Sequence, residues 1–329
     1  MAQNSLVLPR PGTKSPNDKQ KPIKAPTEAL FTSTFGNLLP KASYLETPNG
    51  RAAYYSLPLV SASASTQEPG SPVQRVLFVH GVQTSAIGLQ PLATALSARF
   101  PSAHCVLLDL WGHGLSDTPI LAHTPELFHE LLLALMDRLG WADAHFVGYS
   151  FGGSTTASFT ARHSERVASI VLVAPAGLVR AAQLEELQRR YMQGGEGLED
   201  QAREWVFEWL EGGKLVVPVD WKERVERGEV VAEAVRDWEV REHGGHVASV
   251  VGIVRDGGVF DRGAEFAEAA KKGIPNLCIL GELDDLCSVQ NLAAVGMQNV
   301  SVVPQVGHGV VREKVSDVAC LIEDFWNAI

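Results

Sequence analysis

The chain has 329 residues, 45% of them hydrophobic and 20% charged, with a formal net charge of -10. That size and balance suffice for one large core with room for a smaller module. The acidic balance and the lack of a basic stripe argue against nucleic acid as a partner. No apolar run approaches the ~20 residues of a membrane-spanning helix. The expected setting is cytoplasmic, with a small-molecule substrate, no membrane association and an oligomeric state left open.

Residues 1–30 are rich in Pro, Lys, Ser and Asn and lack the apolar stretch of a secretory signal. They read as a disordered tail. "KASYLETP" and "GRAAYYSLPLV" follow as two short β-rich segments around Asn49-Gly50, a hairpin signal. Ser61 to Pro72 reads as a polar loop. Six apolar runs then come in series: Arg75 to Val79, Cys105 to Leu110, Ala144 to Gly148, Ser169 to Ala174, Asn276 to Leu280 and Val300 to Val306. Runs apolar on both faces are the pattern of buried parallel strands. Between them lie helical patterns such as "ELFHELLLALMDRLG", ending at Gly140. The alternation predicts an α/β fold with a mostly parallel central sheet flanked by helices.

The alternation breaks at about Gly177. From there to Lys272 the chain is charged and helical in pattern, with no clear strand. The expected organisation is a core of residues 31–176 and 273–329 with a helical cap at 177–272. Cys105, Cys278, Cys287 and Cys320 are widely spaced, with no C-x-x-C pair. They read as buried, reduced thiols rather than a zinc or redox site.

The chemistry is expected at "AHFVGYSFGGSTTASF", Ala144 to Phe159, where a strand feeds a helix through Gly148-Tyr149-Ser150-Phe151-Gly152. This G-x-S-x-G turn exposes a serine Oγ at the carboxyl edge of a sheet. A serine needs a base, and the base an orienting acid. His308 follows the last apolar run, and Asp284 follows "NLCILG", with Asp285 in reserve. The chain order is Ser, Asp, His.

That order, with the elbow, resembles the α/β-hydrolase fold superfamily. "FVHGVQTSA" (Phe78 to Ala86) looks like the family's oxyanion loop, and "DLWGHGLSD" (Asp109 to Asp117) like its Asp-x-x-Gly-His-Gly-x-Ser turn. The resemblance covers about half of the chain. It implies an oxyanion hole from the backbone N–H groups of Val82 and Phe151, a loop shaped by His80, and a structural role for Asp109 and His113. One glycine stands where many lipases and esterases have H-G-G-G. Relatives that open epoxides or remove halogen carry aspartate at the elbow, so serine favours acyl transfer.

Trp111, Trp205, Trp209, His243 and His246 are candidate substrate contacts. The two tryptophans at 205 and 209 share one helix face, with packing as the plainer role. His243 and His246 lack the further ligands that a metal needs, so no metal and no cofactor are expected. The expected activity is that of a serine hydrolase on a small or medium apolar ester, lactone or thioester. The alternatives are hydrolysis of a carbon–carbon bond in a diketone and a non-catalytic ligand receptor on the same fold.

Overall fold

The structure, a computed structural model, describes residues 6–13, 20–58 and 73–329. Among these, the strands are β1 (Ser43–Thr47), β2 (Gly50–Ser56), β3 (Arg75–Val79), β4 (His104–Leu108), β5 (Ala144–Tyr149), β6 (Val167–Val173), β7 (Asn276–Gly281) and β8 (Val300–Val303). They form one sheet in the order β1-β2-β4-β3-β5-β6-β7-β8. The hairpin at Asn49-Gly50 pairs β1 with β2, and β2 runs antiparallel to β4. The remaining pairs are parallel.

Each predicted apolar run became a strand, for a common reason. Every residue of β5 is buried, as are four of the five in β3, because helices cover both faces of the sheet. The polar segment expected at Ser61 to Pro72 lies outside the described residues.

The helices are α1 (Glu28–Phe35), α2 (Gln90–Arg99), α3 (Pro125–Leu139), α4 (Phe151–Arg162), α5 (Glu186–Gln193), α6 (Glu199–Glu211), α7 (Trp221–Glu226), α8 (Ala232–Glu242), α9 (His246–Gly252), α10 (Gly263–Lys271), α11 (Val289–Ala294), α12 (Val310–Glu313) and α13 (Val315–Asn327). α2 packs with α13, and α3 with α4. α3 opens with Pro125 in its first turn and stops where Gly140 turns left-handed at φ 69°.

Two expectations are corrected. The segment within residues 1–30 that the structure describes is packed rather than disordered. Leu8 is buried, and Ile23 bridges to Thr118. Thr27 caps α1 by accepting from the Leu30 amide. Phe31 and Phe35 then meet Trp238 edge-on at 5.4 and 5.8 Å. Apolar residues spaced among prolines and lysines suffice once a surface exists to receive them.

The excursion between β6 and β7 also closes before residue 272. Gly177 and Val179 pair with the backbone of residues 259–262. α10 then packs on the core helix α4, burying Phe266 and Ala269. Among the cysteines, Cys105, Cys278 and Cys287 are buried, whereas Cys320 of α13 is exposed beside Arg99 of α2.

The strand order reverses between β3 and β5: the chain moves outward from β3 to β4, then returns to β5 on the other side. Such a switch point leaves a crevice at the carboxyl ends of the strands. The loop after β3 and the serine after β5 both open into it.

Candidate active site

Ser150 sits between β5 and α4 at φ 54°, ψ -118°, a conformation that side-chain-bearing residues rarely adopt. Its backbone is held on three sides: its N–H donates to Val173 O at 3.0 Å, and its carbonyl accepts from Gly153 and Ala176. The flanking glycines are sterically required. A Cβ at Gly152 would lie 2.0 Å from the Val79 carbonyl oxygen, and one at Gly148 would lie 2.4 Å from the Gly152 oxygen. A Cβ at Gly81 would come within 2.9 Å of the Ser150 Cβ, so the loop after β3 runs directly against the serine.

The structure brings the three distant side chains together. His308 Nε2 lies 2.9 Å from Ser150 Oγ, and His308 Nδ1 lies 3.0 Å from Asp284 Oδ2. The Asp284 side chain is fully buried, and its other oxygen accepts the Leu286 amide at 3.0 Å. A carboxylate fixed in this way requires a proton on Nδ1, which leaves Nε2 free to accept from the serine. Asp285 is exposed and makes no contact with His308.

The two loops meet closely because Gly281 has no side chain: a Cβ there would lie 2.3 Å from the Gly307 oxygen. Tyr149 closes the other side. Its hydroxyl donates to His308 O at 3.1 Å, and its ring packs 5.3 Å from the imidazole.

The backbone N–H groups of Val82 and Phe151 have no hydrogen-bond partner among the described residues, and both residues line the Ser150 cavity. The loop carrying Val82 is pinned from beneath. The Leu110 N–H donates to His80 Nε2 at 2.9 Å, so the His80 proton resides on Nδ1, 2.6 Å from the Gly81 carbonyl. Burial lowers the His80 pKa to about 4 and keeps the ring neutral. His113 accepts from the Gln83 N–H at 3.3 Å and donates to Trp111 O at 3.0 Å. Asp109 accepts from Ala86 N, Leu115 N and the Tyr55 hydroxyl; burial still raises its pKa to about 6.

The cavity above Ser150 holds about 280 Å³. A wider cleft of about 770 Å³ between α1 and α7 lies away from this chemistry, so size alone would misplace the site. Of the candidate substrate contacts, Trp209 borders the Ser150 cavity. It stacks on Phe260 at 5.2 Å and on Trp205 at 6.2 Å; Trp205 stands behind it against Tyr191.

Trp111, His243 and His246 are buried and do not line the cavity. His243 donates to Ser116 O and His246 to Gly112 O, so both tie the insertion to the turn at residues 109–117. Glu239 joins them from α8, accepting the Gly114 N–H, with burial raising its pKa to about 8.

Sequence reasoning missed the charged part of the cavity wall. Glu211, Glu233 and Arg236 come from the insertion, and Arg312 and Glu313 from α12. Arg312 alone had a local signal, standing four residues, about one helical turn, after His308.

The family model described as alpha/beta hydrolase fold matches residues 74–233. One curated relative, 2-(acetamidomethylene)succinate hydrolase of Mesorhizobium japonicum, is 28% identical over 125 residues, 38% of this chain and 44% of that protein. Another, 2-hydroxy-6-oxo-6-phenylhexa-2,4-dienoate hydrolase of Comamonas testosteroni, is 30% identical over 107 residues, 32% of this chain and 37% of that protein. The aligned part thus spans less than half the length of either relative. Among solved structures, the enol-lactonase of Burkholderia xenovorans superposes with a TM-score of 0.61 at 19% identity, covering 87% of this chain and 100% of that one.

Proposed function

The chain belongs to the alpha/beta-hydrolase fold superfamily, and from that premise we propose that it is a serine hydrolase cleaving ester-type bonds through an acyl-enzyme. The observation that carries this reading is the line of contacts from Asp284 through His308 to Ser150, at 3.0 and 2.9 Å, beside two unoccupied backbone amides.

In this mechanism the Ser150 Oγ attacks the carbonyl carbon while its proton passes to His308 Nε2. The carbonyl oxygen gains the negative charge and is met by the N–H groups of Val82 and Phe151. Each such donor contributes roughly 3 kcal/mol in comparable sites. Collapse breaks the bond to the leaving oxygen, which takes the proton from His308. Water then gives a proton to Nε2 and attacks the acyl carbon, and Ser150 leaves with that proton. Asp284 holds the ring's orientation and stabilises its cationic form throughout. The helical insertion acts as a cap, with Trp209 supplying an apolar wall.

The relative named for an oxo-dienoate substrate favours a second reading, hydrolysis of a carbon–carbon bond next to a ketone. Fluorophosphonate labelling that disappears in Ser150→Ala, together with turnover of aryl esters or lactones, is the expected result. Labelling with cleavage of diketones alone would select the second reading. Well-folded protein that neither labels nor turns over either class would leave a ligand receptor.

A further inference from the structure

The charges along the Ser150 cavity are unequally matched. Arg236 pairs with Glu211 at 3.0 Å and with Glu233 at 3.2 Å, and its side chain is only 17% exposed. Arg312 borders the same cavity but has no ion pair and no hydrogen bond among the described residues. Its Nη1 is shut off from solvent without an acceptor. The guanidinium lies over the Tyr149 ring, 5.5 Å from its centroid, and that ring in turn packs against His308. Its sequence neighbour Glu313 lines the same cavity but is exposed and does not pair with it.

A guanidinium stays protonated at any working pH, and a buried N–H without an acceptor is unfavourable. Nη1 itself is closed even to water, so it is the remaining edge of the guanidinium, bordering the cavity over Tyr149, that suits an anion arriving from outside. Glu211 does not counter this. Its Oε1 has no partner, while its other oxygen is held by Arg236 at 3.0 Å, so its charge is already matched within the wall.

We propose that Arg312 receives a free carboxylate of the substrate, several bonds from the carbonyl attacked by Ser150. The cleaved molecule is then an ester that also carries an acid group, not a wholly apolar one. Planar, two-pronged recognition of a carboxylate is what an arginine supplies and a lysine does not. The proposal rests on Ser150 being the attacking group, but its test does not need turnover.

Ser150→Ala is titrated calorimetrically with two matched pairs. One is 4-nitrophenyl hemiadipate and its terminal amide, with the acid on the acyl side. The other is 4-carboxyphenyl hexanoate and 4-carbamoylphenyl hexanoate, with the acid on the leaving side. We expect the acid member of at least one pair to bind about tenfold or more tighter than its amide, the size expected for a charge-assisted hydrogen bond. Adding Arg312→Gln should bring that ratio to about one, and Arg312→Lys should restore part of it.

Circular dichroism of each variant separates lost recognition from lost folding. Equal binding of acid and amide in both pairs overturns the proposal, as does an acid preference that survives Arg312→Gln. Preference for the amide overturns it too, and reassigns the wall to Glu211 as an acceptor. Fluorophosphonate labelling of the wild type reads the serine-hydrolase assignment separately, so either reading can fail alone.

Discussion

Replacing Ser150 by glycine should yield a more stable protein than replacing it by alanine, although neither variant should turn over substrate. At φ 54°, ψ -118° the Ser150 backbone lies where a Cβ is strained. Such a residue carries roughly 1–3 kcal/mol of strain. Alanine keeps that strain and glycine removes it. Glycine's extra freedom in the unfolded chain offsets about 0.4–1 kcal/mol of the gain. Both variants lose the 2.9 Å contact between Oγ and His308, so that loss cancels in the comparison. The difference left in favour of glycine is about 1–2 kcal/mol, on the order of 1.5–3 °C in Tm for a chain of this length. Urea unfolding followed by tryptophan fluorescence measures it. If Ser150→Ala proves equal to or more stable than Ser150→Gly, the elbow stores no strain at this position and the steric account of the turn is wrong.

Three further outcomes are expected. Asp284→Asn should lower kcat by up to about 10⁴-fold by disfavouring the productive His308 tautomer, whereas Asp285→Asn should stay within about twofold; steady-state kinetics on one aryl ester compares them. Stability should peak near pH 6.5. Burial keeps His80 and His123 neutral down to about 4, and His129 and His246 down to about 3. The unfolded chain therefore binds more protons at these sites, and their contribution, present above pH 6.5, is lost as pH falls, by up to about 1.4 kcal/mol per pH unit for each. Glu239 and Asp109, raised to about 8 and about 6, act in the opposite sense and lose stability as pH rises through their windows. Urea midpoints that climb steadily from pH 5 to 8 would contradict this balance. Arg10→Ala removes a guanidinium that holds Asp256 at 2.8 Å and the carbonyls of Met192 and Gln193 at 3.1 and 2.8 Å. It should cost about 1–2 kcal/mol and speed thermolysin cleavage within the insertion; an unchanged cleavage rate would show that the N-terminal segment does not brace it.

Local chain physics made part of this protein legible from its residues alone. The parallel strands declared themselves because a segment buried on both faces must be apolar throughout, as β5 is. Ser150 declared itself because the turn around it tolerates no Cβ at 148 or 152, which forces glycine at fixed spacing. Asp284 and His308 followed from the ends of successive strands, which the sheet carries to one edge. Other features depend on groups far apart in the chain, and these leave no periodic trace. Leu8 and Arg10 are ordered by surfaces formed some 250 residues later. His243 and His246 have the composition of a ligand pair, yet the fold spends both on carbonyls of the 109–117 turn. Arg312 is one cation among many until tertiary packing shuts its Nη1 from water with no acceptor beside the serine. Periodicity reports which face of an element is buried; only the meeting of elements decides what each buried polar atom finds there.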